Sequence, residues 1–451
     1  MSAPRKKKVG SPLPLLQPHA AGIDIGARLI HVAVPAEADP QPVRTFETFT
    51  DALHALRDWL KRCRVTTVAM ESTGVYWIPL FQTLEAAGIE VCLVNARHVK
   101  NLPGRKSDVA DCQWLQYLHA VGLLRASFRP PAAVCAVRTL LRHRDRLVRD
   151  ASSQVQRMQK ALTQMNVQLH HVISDLTGVT GRAIVEAILA GERDPQKLAA
   201  LKDPRIKASS DTIARSLHGD WRAEQLFTLR QAHATWTHYQ QQIAACDAEI
   251  ERLLAAFETR ADLQTTPLPA AKSVHKKPQR NEPAFDARRE LHRLLGVDLT
   301  QVPGLAGNTA LVLLSELGPD FAARFPSAKH FASWLGLCPD NRISGGVILS
   351  VATRDVKNRA AHALRLAAQA LWNAKNYFGD LFRRWKARLG APKAVTAMAH
   401  KLARILWHLC RYRRAFDPEV FRREEEKMKQ RKLQRLHNTA AALGLKLSPV
   451  N

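Results

Sequence analysis

From Ala20 to about Arg125 the hydrophobic period of the chain switches repeatedly between two and three-to-four residues, which constrains the fold more than any other feature. "GIDIGARLIHVAV" reads as two strands joined by a tight turn at Gly26–Ala27, and "VRTFETF" (43–49) alternates like a third. "DALHALRDWLKRC" (51–63) has helical spacing, with Asp51 in its first turn. "TTVAMEST" (66–73) is a buried strand ending at Glu71, and "YWIPLFQTLEAAG" (76–88) is a helix closed by Gly88. "IEVCLVNA" (89–96) is another buried strand, and the loop "RHVKNLPGRKS" feeds a helix from about Asp108 to Val121.

Three strands in meander, then helix–strand–helix–strand, is the element order of an RNase H-like α/β fold. It assigns 20–130 to one such domain behind a basic arm, 1–19. The next region, 131–258, contains "VRTLLRHRDRLVRDASSQVQRMQKALTQMNVQL", with helical spacing and neither Pro nor Gly. A second such run, 221–257, suits an antiparallel hairpin or coiled-coil arm. Residues 259–290 are rich in Pro, Lys and Arg and read as a linker, either a solvated tether or a phosphate-contacting loop. A helical domain follows over 291–415, then a charged tail over 416–451, whose mixed signs fit a solvated surface helix.

Charge narrows the choice of partner. Of 451 residues, 67 are Lys or Arg and 40 Asp or Glu, a formal net charge of +27. That excess points to a polyanion, DNA or RNA before a membrane. No run approaches the roughly 18 to 20 apolar residues of a membrane span, and no apolar signal core follows "MSAPRKKKVG". The 7 cysteines are dispersed without a C-x-x-C pair, which disfavours a zinc ribbon or a disulfide framework and fits a reducing cytoplasm.

Four acids carry the candidate chemistry. Asp24 sits between Ile23 and Ile25, where a carboxylate buried without a partner is costly. Glu71 ends a strand that in this fold lies beside the first, and "SDVADCQWL" puts Asp108 and Asp111 on one helical face. Together they would repel unless neutralised. Two Mg²⁺ ions about 3.5–4 Å apart would suit these hard oxygens and a phosphodiester substrate. Each acid also has a structural reading: Asp24 as acceptor in the Gly26 turn, Glu71 as cap of the following helix, Asp108 as a helix N-terminal acid and Asp111 as a surface residue. A further candidate is Ser344 in "DNRISGGVILS", because Gly345 and Gly346 permit close approach of a phosphate that Arg342 can help neutralise. Such a serine can act as nucleophile, although a Ser-Gly-Gly turn is commonly just a turn. Between two helical patterns, "VPGLAG" resembles a helix–hairpin–helix turn whose backbone around Gly304 suits phosphate contact. Arg105, Lys106, Lys276 and Lys277 are basic loop residues of the same potential use.

These motifs resemble the DEDD-type transposases of bacterial insertion sequences, the family described as bridge-RNA-guided recombinases. The N-terminal half matches through "GIDIGA", "MESTGVYW", "VNARHVKNLPGRKSDVADCQWL" and "LHAVGLL". The C-terminal half matches through "GVDLTQVPGL", "LLSELG", "FPSAKHFASWLGLCPDNRISGG", "NRAAHALRLAAQAL" and "LGAPKAVTAMAHKLARILW". The resemblance implies a RuvC-like domain with metal-binding acids at Asp24, Glu71, Asp108 and Asp111, and a C-terminal transposase domain with a nucleophilic serine at Ser344. It implies a covalent phosphoserine–DNA link followed by strand exchange, homodimers or homotetramers with one active site shared between subunits, and a structured non-coding guide RNA pairing with donor and target DNA. The setting it implies is the bacterial cytoplasm, with nucleoid association through DNA. One position departs: the family's basic residue after "SGG" is Val347 here, leaving Arg342, Arg354 or Lys357 to supply that cation. The competing functions are a structure-selective RuvC-like nuclease and a non-catalytic nucleic-acid-binding derivative of a transposase.

Overall fold

The structure is a computed structural model that describes residues 14–72, 74–95, 108–271 and 281–446. The chain forms two compact units, Met1–Arg129 and Pro130–Asn451. Among the described residues no helix is long and apolar enough to cross a membrane.

The first unit is a five-stranded mixed sheet of β1 (Ala20–Ile25), β2 (Leu29–Ala33), β3 (Val43–Glu47), β4 (Thr67–Glu71) and β5 (Glu90–Val94), in the order β3-β2-β1-β4-β5. The meander β1–β2–β3 is antiparallel, whereas β1, β4 and β5 are parallel. Period-two alternation divides the sheet into two unlike faces. Large residues, among them Ile23, Ile25, Ile30, Val68 and Met70, pack against α1 (Thr50–Arg62) and α2 (Trp77–Ala86) through Leu56, Trp59, Leu80 and Leu84. The other face is lined by Ala20, Gly22 and Ala69 and receives α3 (Asp108–Ala120) through buried Cys112, Leu115 and Leu118.

The second unit begins with a helical hairpin of α4 (Ala132–Gln164) and, after three short helices, α8 (Ala223–Ala255). The short helices, α5 (Val179–Leu189), α6 (Pro195–Ala200) and α7 (Ser210–Ser216), build a separate core at the hairpin tip around Met158, Ile184, Ile188, Leu198, Ile213 and Leu229. At the root, Val137, Leu141, Ile250 and Leu254 enter the large C-terminal core instead. The root is also tied by a buried Arg144–Asp247 ion pair and by Arg142 on Glu316. The hairpin is therefore continuous with the C-terminal helices rather than a free spacer. The proline-rich stretch is anchored as well, since Arg260 pairs with Asp320 at 2.6 Å and Phe285 is buried.

The C-terminal helices are α9 (Ala287–Leu295), α10 (Gly307–Leu317), α11 (Phe321–Arg324), α12 (Ala328–Trp334), α13 (Arg359–Ala370), α14 (Tyr377–Leu389), α15 (Ala391–Tyr412) and the mostly exposed α16 (Glu419–Ala442). Helix α13 ends at Ala370, and α14 is separate because the Asn376 side chain caps a new start at the Gly379 amide. This region is not all-α as expected. Arg342–Ser344 (β6) and Val347–Ser350 (β7) form an antiparallel hairpin. Its cause is local: two residues with positive φ, Gly345 (+53°) and Gly346 (+79°), join Arg342–Ser344 to Val347–Ser350, the requirement of a two-residue hairpin loop.

Candidate active site

Sheet register brings two of the acids together. Ile23 pairs with Met70 across parallel β1 and β4, so Asp24 and Glu71 follow one residue later on neighbouring strands about 4.8 Å apart. Ile23 and Met70 face α1 and α2, so alternation turns both carboxylates to the α3 face. Helix α3 reaches that face because Gly22 has no side chain: a Cβ there would lie 2.2 Å from the Cys112 carbonyl oxygen and from the Gln116 amide nitrogen. Gln116 Nε2 donates to the Ala20 carbonyl at 3.2 Å, and the Thr67 hydroxyl lies 2.9 Å from His119 Nε2. With Gln116 above Ala20 and Cys112 above Gly22, α3 runs antiparallel to β1. Its first turn, carrying Asp108 and Asp111, consequently overlies the end of β1 that carries Asp24.

Burial, reinforced by the Asp24 and Asp111 carboxylates, pushes the Cys112 thiol up to about 11. Asp24 itself is half-buried, so its position at the sheet end costs less than burial between two isoleucines would. In the turn that follows, the Gly26 amide donates to the Leu29 carbonyl at 2.9 Å. Glu71 is also half-buried, and Asp111 is exposed. The side chain of Asp108 lies outside the described residues, as do Arg105, Lys106, Lys276 and Lys277. Among the described residues no group of three or more His, Cys, Asp and Glu forms a metal cluster on its own. The donor set at this edge is nonetheless carboxylate oxygen, the chemistry that suits a hard divalent cation.

Ser344 belongs to the second unit. It ends β6 in full exposure, and a Cβ on Gly345 or Gly346 would meet nothing within 4 Å, so the backbone beside its hydroxyl is open. Arg342 and Lys357 are exposed. Arg354 is turned onto helix α12, donating to the Ser333 carbonyl, and Val347 is 64% exposed. Gly304 has a packing reason of its own: at φ +86° a Cβ there would lie 2.5 Å from the Ala367 carbonyl oxygen, so glycine seats the "VPGL" turn against α13.

Two family profiles match the chain, one described as "Transposase", for DEDD-type IS110 elements, over residues 21–167, and one described as "Transposase IS116/IS110/IS902 family" over residues 297–383. The first covers the sheet with its acid edge and α4; the second covers the serine hairpin; together they span more than half of the chain. The chain belongs to the IS110 family of DEDD-type transposases. One relative, an uncharacterized 43.6 kDa protein of insertion element IS110 from Streptomyces coelicolor, is 35% identical over 133 residues. That match spans 29% of this transposase and 31% of the relative.

Residues that position the transposase's acid edge escaped the sequence reading. Gly22 was visible only as the glycine of "GIDIGA", and His119 only as one of 18 histidines. Period-two parity with Asp24 was the available signal for Gly22, since i and i+2 share a face.

Proposed function

We propose that this transposase cuts and rejoins DNA strands during insertion-sequence movement. Asp24, Glu71, Asp108 and Asp111 are its cation-holding carboxylates in a RuvC-like, RNase H-fold domain, and Ser344 is its nucleophile. The observation that carries this reading is the shared face of Asp24, Glu71 and the first turn of α3 at one end of the sheet. Support for the RuvC-like fold comes from the strand order, an antiparallel meander continued by two parallel strands. Bound there, divalent cations, two Mg²⁺ in our reading, would offset carboxylate repulsion and supply Lewis acidity toward a phosphodiester.

The chain's own groups divide the remaining work. The Ser344 oxygen, losing its proton, forms an ester bond to the scissile phosphorus, while the sugar oxygen leaves and takes up a proton. Attack by a hydroxyl of a second strand reverses the exchange and restores the serine. The open backbone at Gly345 and Gly346 supports close approach of that phosphate. With Val347 exposed and Arg354 engaged, Arg342 and Lys357 are the nearest candidates for phosphate charge. The +27 net charge supports simultaneous contact with DNA and a structured guide RNA, and homodimers or homotetramers would bring the serine and the carboxylates into one site.

A second reading, hydrolytic cutting by the carboxylates alone, draws on their placement in a different compact unit from Ser344. A trapping assay separates the two. With labelled element-end DNA and co-purified RNA, wild type should yield a denaturation-resistant protein–DNA adduct that Ser344→Ala loses together with strand transfer. Cleavage by Ser344→Ala at the wild-type rate would leave the hydrolytic reading standing. Sequencing the co-purified RNA tests the guide: one discrete species encoded beside the gene is expected, and random cellular RNA would remove it.

A further inference from the structure

Helix α3 bears a pair of rings that the acid edge does not use. Trp114 is 37% and Tyr117 38% exposed, with ring centroids 5.6 Å apart and planes 25° from parallel. They follow Asp111 at three-residue intervals, Trp114 flanking and Tyr117 opposite the stripe of buried Cys112, Leu115 and Leu118. At about 1.5 Å of rise per residue they stand roughly 4.5 and 9 Å along the axis from Asp111. A stacked, half-open aromatic pair leaves apolar surface in water that the sheet on the other side of α3 cannot cover.

We propose that Trp114 and Tyr117 form a stacking platform for an unpaired nucleobase of the DNA strand whose phosphate lies at the Asp24–Glu71–Asp111 edge. The proposal rests on reading that edge as the phosphate-processing site and adds the state of the strand beside it. A base is tethered to its own phosphate by one sugar, so a phosphate at Asp111 brings a neighbouring base over the next turns of the same helix. Stacking accepts every base, because each has a π face, but only a base drawn out of a duplex can present that face. The platform therefore selects unpaired DNA next to the cut without reading its sequence. The strongly basic chain favours a nucleic-acid occupant over an apolar protein surface.

The test uses the full-length protein stripped of co-purified nucleic acid, with Ca²⁺ in place of Mg²⁺ so that DNA is bound and left uncut. Duplexes carrying a short unpaired stretch are compared with fully paired ones, with 2-aminopurine placed at successive positions. Wild type should quench 2-aminopurine at one or two adjacent unpaired positions. Trp114→Ala and Tyr117→Ala should each lose that quenching and weaken binding of the unpaired substrate about tenfold, with paired duplex affected less than twofold. Trp114→Phe should retain the signal. Should Trp114→Ala fold poorly, Trp114→Leu keeps apolar volume while removing the π face and should behave as Trp114→Ala was expected to. Equal losses on paired and unpaired DNA, unchanged quenching, or a shift of oligomeric mass with the base signal intact would each overturn the platform. Asp24→Asn is run beside these variants at saturating DNA and should abolish Mg²⁺-dependent cleavage, with the quenching per bound DNA preserved. Cleavage surviving Asp24→Asn would remove the edge reading without altering what the fluorescence says about stacking.

Discussion

Asp24 and Glu71 end adjacent parallel strands of a five-stranded sheet, under a helix pressed to backbone distance on Gly22. Ser344 ends a two-stranded hairpin whose Ile343, Val347, Ile348 and Leu349 are all at least 59% exposed. Register, packing and cross-element hydrogen bonds fix the strand ends and the helix on which these acids stand. The hairpin has its turn and a bridge between Pro339 and Thr353 at its base, and two strands alone are marginal in water. In the proposed chemistry the carboxylates thus stand on a packed scaffold and the serine on an exposed two-stranded element.

Variants at the two sites test that contrast most severely. Asp24→Asn and Ser344→Ala should each reduce strand transfer on the order of a thousandfold, measured as joined product. Both should melt within a few degrees of wild type, since neither side chain is part of a core. A large drop in melting temperature for Asp24→Asn would make that carboxylate structural.

Glycine substitutions give the next largest effect, and an unequal one. Gly22→Ala forces a methyl group into the α3 backbone and should cost about 3 kcal/mol in denaturant unfolding, with loss of cation-dependent activity. Gly345→Ala meets open space and strains only a positive φ, so about 1 kcal/mol is expected. Equal costs would contradict the difference in packing.

Protonation separates the regions more gently. Burial holds the His119 imidazole below its usual range, beside Thr67 at the end of β4 away from Glu71. A histidine whose folded pKa is depressed favours the folded state fully above its unfolded value, near 6.5, and loses that contribution as pH falls through it. Wild type should therefore lose stability as pH falls below about 7, and His119→Gln should reduce that slope, with the likewise depressed His292 and His400 keeping the rest; an unchanged slope would place the dependence elsewhere. The smallest effect belongs to the hairpin surface: Ile348→Thr should change unfolding free energy by less than about 0.5 kcal/mol in the isolated protein. If it also lowers affinity for DNA or shifts oligomeric mass, the exposed strand is where the partner sits.

Much of the acid-edge scaffold was legible because local periodicity and turn chemistry agree there. The "GIDIGARLIHVAV" strands, the Gly26 turn and the order of later elements all follow from short windows of residues. What those windows could not carry was pairing register, and register is what sets Asp24 beside Glu71. The expense assigned to Asp24 was overstated, since a strand end is half open where a strand centre is not. The serine hairpin read as a loop because its aliphatic residues face solvent, so no amphipathic alternation announced a strand. The helical hairpin was legible as an arm, but not that Val137, Leu141, Ile250 and Leu254 at its root join a core whose other members lie far along the chain.

Manganese binding followed by electron paramagnetic resonance addresses the convergence of the carboxylates most directly. Titrated without DNA, wild type should bind Mn²⁺, and Asp24→Asn, Glu71→Gln and Asp111→Asn should each weaken binding at least about tenfold at unchanged melting temperature. Mn²⁺ affinity that is the same in wild type and all three variants would show that these acids do not form one site.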